Sequence, residues 1–479
     1  MIQNGTDSPQ DLVERALAEA GAGTELVVIA DEHSAVNLRW AGNTLTTNGV
    51  TGTRGLTVIA IDRRADGTSG VGVVARSGAL PGQVADIVGA ARAAARNAPP
   101  ADDAGDLAAS DGAGSQSRWS DLPVRTDVDV LRRFAADLGE TLRAAQGAGR
   151  KLYGFAEHEV TSTFLGTSGG LRLRHDQPTG RLELNAKSAD MARSAWAGAS
   201  TRDFSDVDVA GLDASLAQRL QWQARKLELP AGRYETLLPP NAVADLMINF
   251  YWEAGARGAA EGRTVFSRQG GRTRIGEQLA ALPVSLFSDP AYPGLECAPF
   301  VVAHASGQDS SVFDNGLASG PASWVSLGTL SALHSSRYSA GLAGLPVTPA
   351  VDNLVLSGGG AGQGAQGGQD SASLDDMIAS TKRGLLVTCL WYIREVDPQT
   401  LLLTGLTRDG VYLIEDGSVA GVVNNFRFNE TPVGMLSRLA EVGATTRTLP
   451  REWSDYFTRC AMPPLRIEAF NMSSVSQAS

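Results

Sequence analysis

Apolar positions at helical spacing, followed by alternating apolar and polar positions, open the chain. In "DLVERALAEAGAG" the apolar residues recur along one helical face, and Ser8-Pro9 ahead of them supply a hydroxyl cap and a proline suited to a first helical turn. Strand patterns follow in "ELVVIA", "SAVNLRW", "GLTVIAID" and "SGVGVVAR", and a second helix in "PGQVADIVGAARAAARNA". The pattern predicts a strand-rich sheet with helices covering one face.

The middle of the chain continues both periodicities. A helix is predicted over about residues 126 to 147, and alternation from 151 to 188 predicts at least three strands joined by turns that contain Gly and Pro. A long helix follows in "DASLAQRLQWQARKLE", another starts near Asn241, and short strands and loops dominate after residue 264. We therefore predict an α+β protein with an N-terminal α/β domain over 1–230 and a mostly β C-terminal domain over 231–479.

Two segments lack the apolar content that a packed element needs. Residues 98–123 are rich in Asp, Gly, Ala and Ser, which predicts a flexible surface loop. Residues 357–373, "SGGGAGQGAQGGQDSAS", are of low complexity and predict a disordered glycine-rich loop. This run lacks the Gly-Lys-Ser/Thr ending of a phosphate-binding loop, so it does not indicate a nucleotide site.

Charge and cysteine content narrow the functional classes. Lys+Arg 41 against Asp+Glu 52 gives a net charge of −11, which disfavours nucleic acid and anionic membranes as partners. No apolar run has the length of a membrane span, and the N-terminus lacks the pattern of a secretory signal. The three cysteines lie far apart, which favours a reducing cytoplasm over a disulfide framework or a zinc ribbon. We expect a cytoplasmic protein.

Four passages follow one another along nearly the whole chain: "NLRWAGNTLTTNGVTGTRGLTVIA", "GFAEHEVTSTFLGTSGGLRL", "SSVFDNGLASGP" leading into "SSRYSA", and "LTRDGVYLIEDGSVAGVVNNFRFNETPVGML". Together they resemble the TldD/PmbA family of bacterial peptidases. The last passage looks like the C-terminal signature of the TldE (PmbA) side of the family, the subunit that lacks the zinc motif.

The resemblance implies that the protein acts in a complex of two subunits with different roles. Family members pair as a TldD-like subunit with a TldE-like one, and the TldD-like partner carries a zinc motif of the form H-E-x-x-x-H. Both histidines bind the metal, the glutamate acts on the attacking water, and a cysteine late in the chain completes the ligand set. The pair degrades or trims unfolded peptides, which are held in extended form inside the assembly.

In this chain the motif falls on "WEAGAR". Trp252 stands where the first histidine would be, Glu253 is retained, and Arg257 replaces the second histidine. An indole N–H only donates and a guanidinium has no acceptor lone pair, so neither side chain can coordinate zinc. Cys460 is the nearest candidate for the late cysteine. We therefore predict no metal ligand, no cofactor and no catalytic residue in this chain, and we expect zinc in a TldD-like partner.

Helical geometry bears on the same motif. Five residues along a regular helix turn by ~500°, which leaves positions 252 and 257 ~140° apart, so a ligand pair at this spacing needs the helix to distort or end. Gly255 and Gly258 would permit that. The structural alternative for Glu253 is an ion pair with Arg257 four residues on. Trp252 and Tyr251 are interpreted as core or interface aromatics.

The remaining candidate groups are weaker. In His158-Glu159 and in His175-Asp176, the two side chains cannot act together on one atom, because successive strand residues point to opposite faces. We expect ordinary surface or turn residues at these positions. His304 is interpreted as a core histidine, and His334 as part of a peptide-contact region. Cys389 and Cys297 are predicted to be buried and inert. The strand "FRFNE" could be half-buried or could be an exposed edge that pairs with an extended peptide.

Two functional hypotheses follow. The first is a non-catalytic TldE-like subunit that binds a TldD-like catalytic partner and helps to enclose extended peptides. The alternative is a self-sufficient or homodimeric metallopeptidase that uses Glu253 with non-standard ligands such as Cys460 and His304 or His334. A peptide-binding scaffold without a peptidase partner also stays open.

Overall fold

The computed structural model describes residues 8–21, 24–109, 118–359 and 372–476. Most of the predicted glycine-rich loop 357–373 lies outside these ranges, as do residues 110–117 of the predicted loop 98–123. The described parts of the second segment contact the fold: Leu107 packs against the core, and the Trp119 ring meets Phe164 edge-on with a centroid distance of 5.6 Å.

The N-terminal half is built on one antiparallel sheet of six strands in the order β3-β2-β1-β4-β5-β6. Its strands are β1 Thr24–Ala41, β2 Thr44–Arg63, β3 Ser69–Ser77, β4 Arg150–Thr167, β5 Arg172–Ser188 and β6 Ser194–Thr201. Its helices are α1 Pro9–Ala18, α2 Val84–Asn97, α3 Arg132–Gly147 and α4 Val209–Trp222.

Alternation along β1 explains how this sheet is covered. Leu26 and Val28 face α1 and α2, and Leu38 further along the same face packs with α3 and α4. Val27 and Ile29 point to the opposite face, where they pack against Phe313 from the C-terminal half. Both faces of "ELVVIA" are therefore buried, and the predicted sheet with helices on one face is confirmed.

The region 151 to 188 differs from the prediction of at least three strands. The structure has two long strands there, and β5 runs through Pro178 and Gly180 without a break. The strand β6 pairs only with residues 180–187 of β5, so among the described residues no strand pairs with the outer edge of β5 at Pro178. Proline is tolerated at such an edge because its missing N–H costs no ladder hydrogen bond.

The C-terminal half is mostly strands, as predicted. The helices are α5 Pro240–Glu253, α6 Ala256–Ala260, α7 Arg337–Ala343, α8 Leu374–Ser380 and α9 Pro432–Ser437. The strands are β7 Gly232–Leu238, β8 Ser267–Arg268, β9 Arg272–Thr273, β10 Val284–Ser288, β11 Ala322–Ser326, β12 Thr329–Leu330, β13 Leu354–Gly358, β14 Arg383–Val387, β15 Leu390–Asp397, β16 Leu402–Thr407, β17 Val411–Glu415, β18 Ser418–Val422, β19 Phe426–Glu430, β20 Leu439–Val442, β21 Thr446–Thr448, β22 Cys460–Met462 and β23 Leu465–Val475. The whole chain is thus α+β.

Two larger sheets share a core around α5. One has the strand order β12-β11-β10-β13-β22-β21, and the other runs β15-β16-β19-β23-β7-β14-β17-β18 with β20 beside β23. Every residue of α5 from Ala242 to Tyr251 is buried, and side chains from both sheets join the helix in one apolar cluster. A helix that is apolar all round requires such an environment.

The strand "FRFNE" is half-buried, as its alternation predicted, and the alternative of an exposed edge is wrong. The strand β19 lies between β16 and β23 and makes ladder contacts with both. Phe426 and Phe428 are fully buried beneath it, so its backbone is not available to an added peptide strand. The edge strands of this sheet are β15 and β18. Among the described residues, no helix is both long enough and apolar enough to cross a membrane.

Candidate functional site

The buried helix α5 ends at Glu253, within the "WEAGAR" motif. Ala254 caps it with φ −79° and ψ 32°, and α6 begins at Ala256. The backbone of His334 holds the break, because its N–H donates to the Ala254 carbonyl and its carbonyl accepts from the Ala256 N–H, both at 2.9 Å. The expected end of the helix between positions 252 and 257 is therefore confirmed.

The break separates Glu253 from Arg257, and the predicted ion pair between them is wrong. Arg257 lies on α6, where its Nε donates to Glu261 at 3.0 Å, and its guanidinium lies 5.5 Å from the centre of the Tyr338 ring. The i, i+4 pairing that motivated the prediction requires one continuous helix, and the helix ends at the first of the two residues.

A cleft of about 620 Å³ opens beside the end of α5. It is lined by Trp252, Glu253, Gly255, Gly258, Arg263, Thr264, Gln308, Asp309, Glu395, Asp397, Pro398 and Gln399. The Trp252 side chain is 38% exposed and meets Trp453 edge-on, with ring centres 5.0 Å apart. Tyr251 points the other way into the core, where its hydroxyl donates to the Val351 carbonyl at 2.9 Å.

Carboxyl groups dominate the electrostatics of the cleft. The pKa of Glu253 is raised to about 7, first by burial, then by the charge of Glu395 and a hydrogen bond with it, and further by the charge of Asp309. The charge of Arg263 lowers the pKa of Glu253, but the Arg263 Nε donates its hydrogen bond to Glu261, at 2.8 Å. In the described part of the chain, none of the three carboxyl groups has a basic partner within 4 Å.

Gly255 allows Asp309 to approach the break in the helix. A Cβ at this position would overlap Asp309 Oδ1 and would lie 3.3 Å from His334 Cε1. His334 is buried, its Nε2 lies 3.1 Å from the Tyr251 carbonyl oxygen, and burial lowers its pKa. It therefore supports the end of α5 from below, beneath the cleft.

The structure does not bring the other predicted candidates to this cleft. Cys460 is fully buried on β22, and burial raises its pKa. Cys389 is also buried, with a pKa raised by burial, and the pKa of Cys297 is raised to about 11 for the same reason. His304 lies against the N-terminal sheet, 3.5 Å from Asp31, and its side chain is 50% exposed, so the interpretation as a core histidine is wrong.

The histidines of the N-terminal sheet also differ from expectation. His158 is buried in mid-strand, where Nδ1 lies 2.7 Å from Thr126 Oγ1, Nε2 lies 2.8 Å from the Arg202 carbonyl oxygen, and burial lowers the pKa. The expectation of a surface or turn residue fails because the segment before α3 covers this face. His175 is half-buried on β5 beside Gln177.

The residues at the motif do not fit a zinc ion. Trp252 and Arg257 offer no lone pair to a metal. Across the described residues, no group of three or more His, Cys, Asp or Glu side chains has a geometry that could hold a metal ion. The alternative ligand set is not brought together. Glu253 lines the cleft, Cys460 is buried on β22, His334 lies beneath the cleft, and His304 lies against the N-terminal sheet.

Two residues of the cleft were not found from the sequence. Glu395 lies on the edge strand β15 and Asp309 in the loop before β11, both far from Glu253 along the chain. Alternation in "WYIREVD" places Glu395 on the same side as Trp391 and Ile393, and no sequence signal pairs it with the end of α5. Only the sheet topology, with β15 at an edge, brings the two together.

Comparisons with known proteins agree with this architecture. Residues 231–474 match the profile described as the PmbA/TldA metallopeptidase C-terminal domain. The fold is similar to that of TldE from Thermococcus kodakarensis, with a TM-score of 0.74 and 16% identity over 96% of this chain and 99% of that one.

Two further solved structures are similar. One is a protein of Thermotoga maritima named as a candidate modulator of a DNA gyrase, with a TM-score of 0.71 and 16% identity over 96% of this chain and 99% of that one. The other is a protein of Bacteroides thetaiotaomicron named in the same way, with a TM-score of 0.69 and 14% identity over 98% of each chain. Identities this low show a shared fold alone. No curated protein sequence matches the chain significantly.

Proposed function

This chain belongs to the TldD/PmbA metallopeptidase family, and on that premise we propose that it is a TldE-like, non-catalytic subunit of a zinc peptidase that processes or degrades unfolded peptides. The catalytic partner is a TldD-like protein that carries the zinc ion. The three cysteines, which are all unpaired and buried, support a cytoplasmic location for the pair.

One observation carries the proposal. The chain keeps the helix break of the motif and an open cleft beside it, but the two positions where the family binds zinc hold Trp252 and Arg257. Arg257 is turned away from the cleft by its contacts with Glu261 and Tyr338. Such a site can contact a peptide but supplies no metal to activate water.

The test is co-expression with a TldD-like protein from the same organism. We expect a complex whose measured mass equals one copy of each chain, with about one zinc ion per pair. Peptide cleavage should require the complex and should be lost when the histidines of the partner's motif are replaced. A stable homodimer of this chain that cleaves peptides in the absence of the partner would instead support a self-sufficient peptidase.

A further inference from the structure

Three carboxyl groups that line the cleft have no ion-pair partner among the described residues. Glu253, Glu395 and Asp309 lie close enough to raise the pKa of the first, and no basic group lies within 4 Å of any of them in the described residues. Glu253 is half-buried and the other two side chains are exposed at the mouth of the cleft. Like charges gathered in this way favour a bound cation, which relieves their repulsion.

His334 provides an independent observation. Its Nε2 faces the carbonyl oxygen of Tyr251 at 3.1 Å, and because a carbonyl only accepts, Nε2 carries the proton. The other ring nitrogen, Nδ1, is then an acceptor in the neutral ring, and it is buried without a partner among the described residues. The neighbouring Cε1 atom lies beside Gly255 and Asp309, two residues that line the cleft, so the unpartnered nitrogen belongs to a ring packed against the back of the cleft wall.

The shape of the cleft favours an organic cation over a metal ion. A metal needs several ligand atoms converging at about 2.0–2.6 Å, and no such group exists among the described residues. The volume of about 620 Å³ lies within the range of sites for small organic groups. The partly exposed indole of Trp252 on the cleft wall also suits an ammonium or guanidinium group, which is attracted to the face of an aromatic ring.

We propose that this cleft binds the cationic group of an extended peptide, a lysine, an arginine or a free α-amine, through Glu253, Glu395 and Asp309 beside Trp252. The inference rests on the proposed function in that it takes a peptide as the ligand. It assigns the cleft a selective role: the family's metal position becomes a recognition site for positive charge.

The test uses the full purified chain and two peptides. Both are blocked extended heptapeptides of Ala and Ser with one central residue, arginine in the first and its neutral isostere citrulline in the second. Calorimetry at pH 8 should show that the arginine peptide binds about tenfold more tightly. Glu395→Gln should remove that preference, whereas Glu415→Gln, the same charge change on the far side of the same sheet, should preserve it.

These measurements test the binding of a cationic group independently of the proposed subunit role. Equal affinity for the two peptides, or no binding of either, overturns the inference and leaves the co-expression result untouched. Competition by micromolar zinc, magnesium or calcium that disappears in Glu395→Gln also overturns it, because the cleft would then be a metal site. Thermal unfolding of Glu395→Gln should occur at a temperature no lower than that of the parent chain, because the substitution removes a like charge beside Glu253; this separates loss of binding from loss of fold.

Discussion

The side chains of Glu253 and Glu395 share a hydrogen bond across the cleft, one from the end of α5 and the other from the edge strand β15. A hydrogen bond between two carboxyl groups requires a proton on one of them, so this contact favours the same protonated form of Glu253 that burial, the largest cause of its raised pKa, also favours.

The raised pKa of Glu253 makes the stability of the protein depend on pH. The folded chain keeps a proton on this group up to about pH 7, whereas the unfolded chain releases it near the ordinary value of 4.5, so folding stability falls as pH rises between them. We expect Glu253→Gln to stabilise the chain at pH 8 by on the order of 1 kcal/mol after solvent screening, with little effect at pH 5. Denaturant unfolding at both pH values measures this, and an equal effect at both contradicts it.

Binding of the arginine peptide should strengthen as pH rises from 6 to 8. Deprotonation of Glu253 adds a negative charge to a cleft that already holds Glu395, Asp309 and Asp397, with Arg263 as the opposing charge. The bound cation should displace the proton, so calorimetry in buffers of different ionisation enthalpy should detect proton release near pH 7. In Glu253→Gln the pH dependence should flatten. A profile unchanged by that substitution would show that another group controls it.

Gly255→Ala should disturb the cleft specifically. The added methyl group would overlap Asp309 and press on His334, so we expect a loss of about 1–3 kcal/mol in unfolding free energy and weaker binding of the arginine peptide. The control is Gly139→Ala in α3, where a Cβ meets no atom within 4 Å. Alanine there should leave stability unchanged or raise it by up to about 1 kcal/mol. Equal effects of the two substitutions on peptide binding would contradict the role given to Gly255.

Asp245 anchors the wall of the cleft from inside α5. Its carboxyl group accepts the N–H groups of Glu452 at 2.9 Å and Arg451 at 3.2 Å, and its carbonyl accepts the indole N–H of Trp453 at 3.1 Å. Asp245→Ala leaves two buried N–H groups without an acceptor, so we expect a loss of about 2–4 kcal/mol, measured by denaturant unfolding. Glu140→Ala on the exposed face of α3 should change stability by less than about 0.5 kcal/mol. A small effect of Asp245→Ala would mean that water satisfies these groups.

The end of α5 illustrates what a single sequence could predict. A ligand pair at positions 252 and 257, which the family resemblance implies, could not share one face of a regular helix, and Gly255 lies between the two positions, so a break was expected from the resemblance and helical geometry together. The sheet of the N-terminal half was predictable for the same reason, because residues on β1 alternate between two covered faces.

The acidic character of the cleft was not predictable in this way. Glu395 and Asp309 reach Glu253 through the order of strands in a sheet, and strand order depends on contacts between distant segments. The same limit explains the error at His158. This residue was judged from its own strand, while its burial comes from elements elsewhere in the chain.

Metal binding by the isolated chain tests the central claim most directly. The purified protein would be incubated with excess zinc, desalted and measured for zinc content and for cleavage of an unfolded peptide. The account predicts much less than one equivalent of zinc and no cleavage, with both appearing only when a TldD-like partner is added. About one equivalent of zinc in the isolated chain, with cleavage abolished by Glu253→Gln, would contradict it.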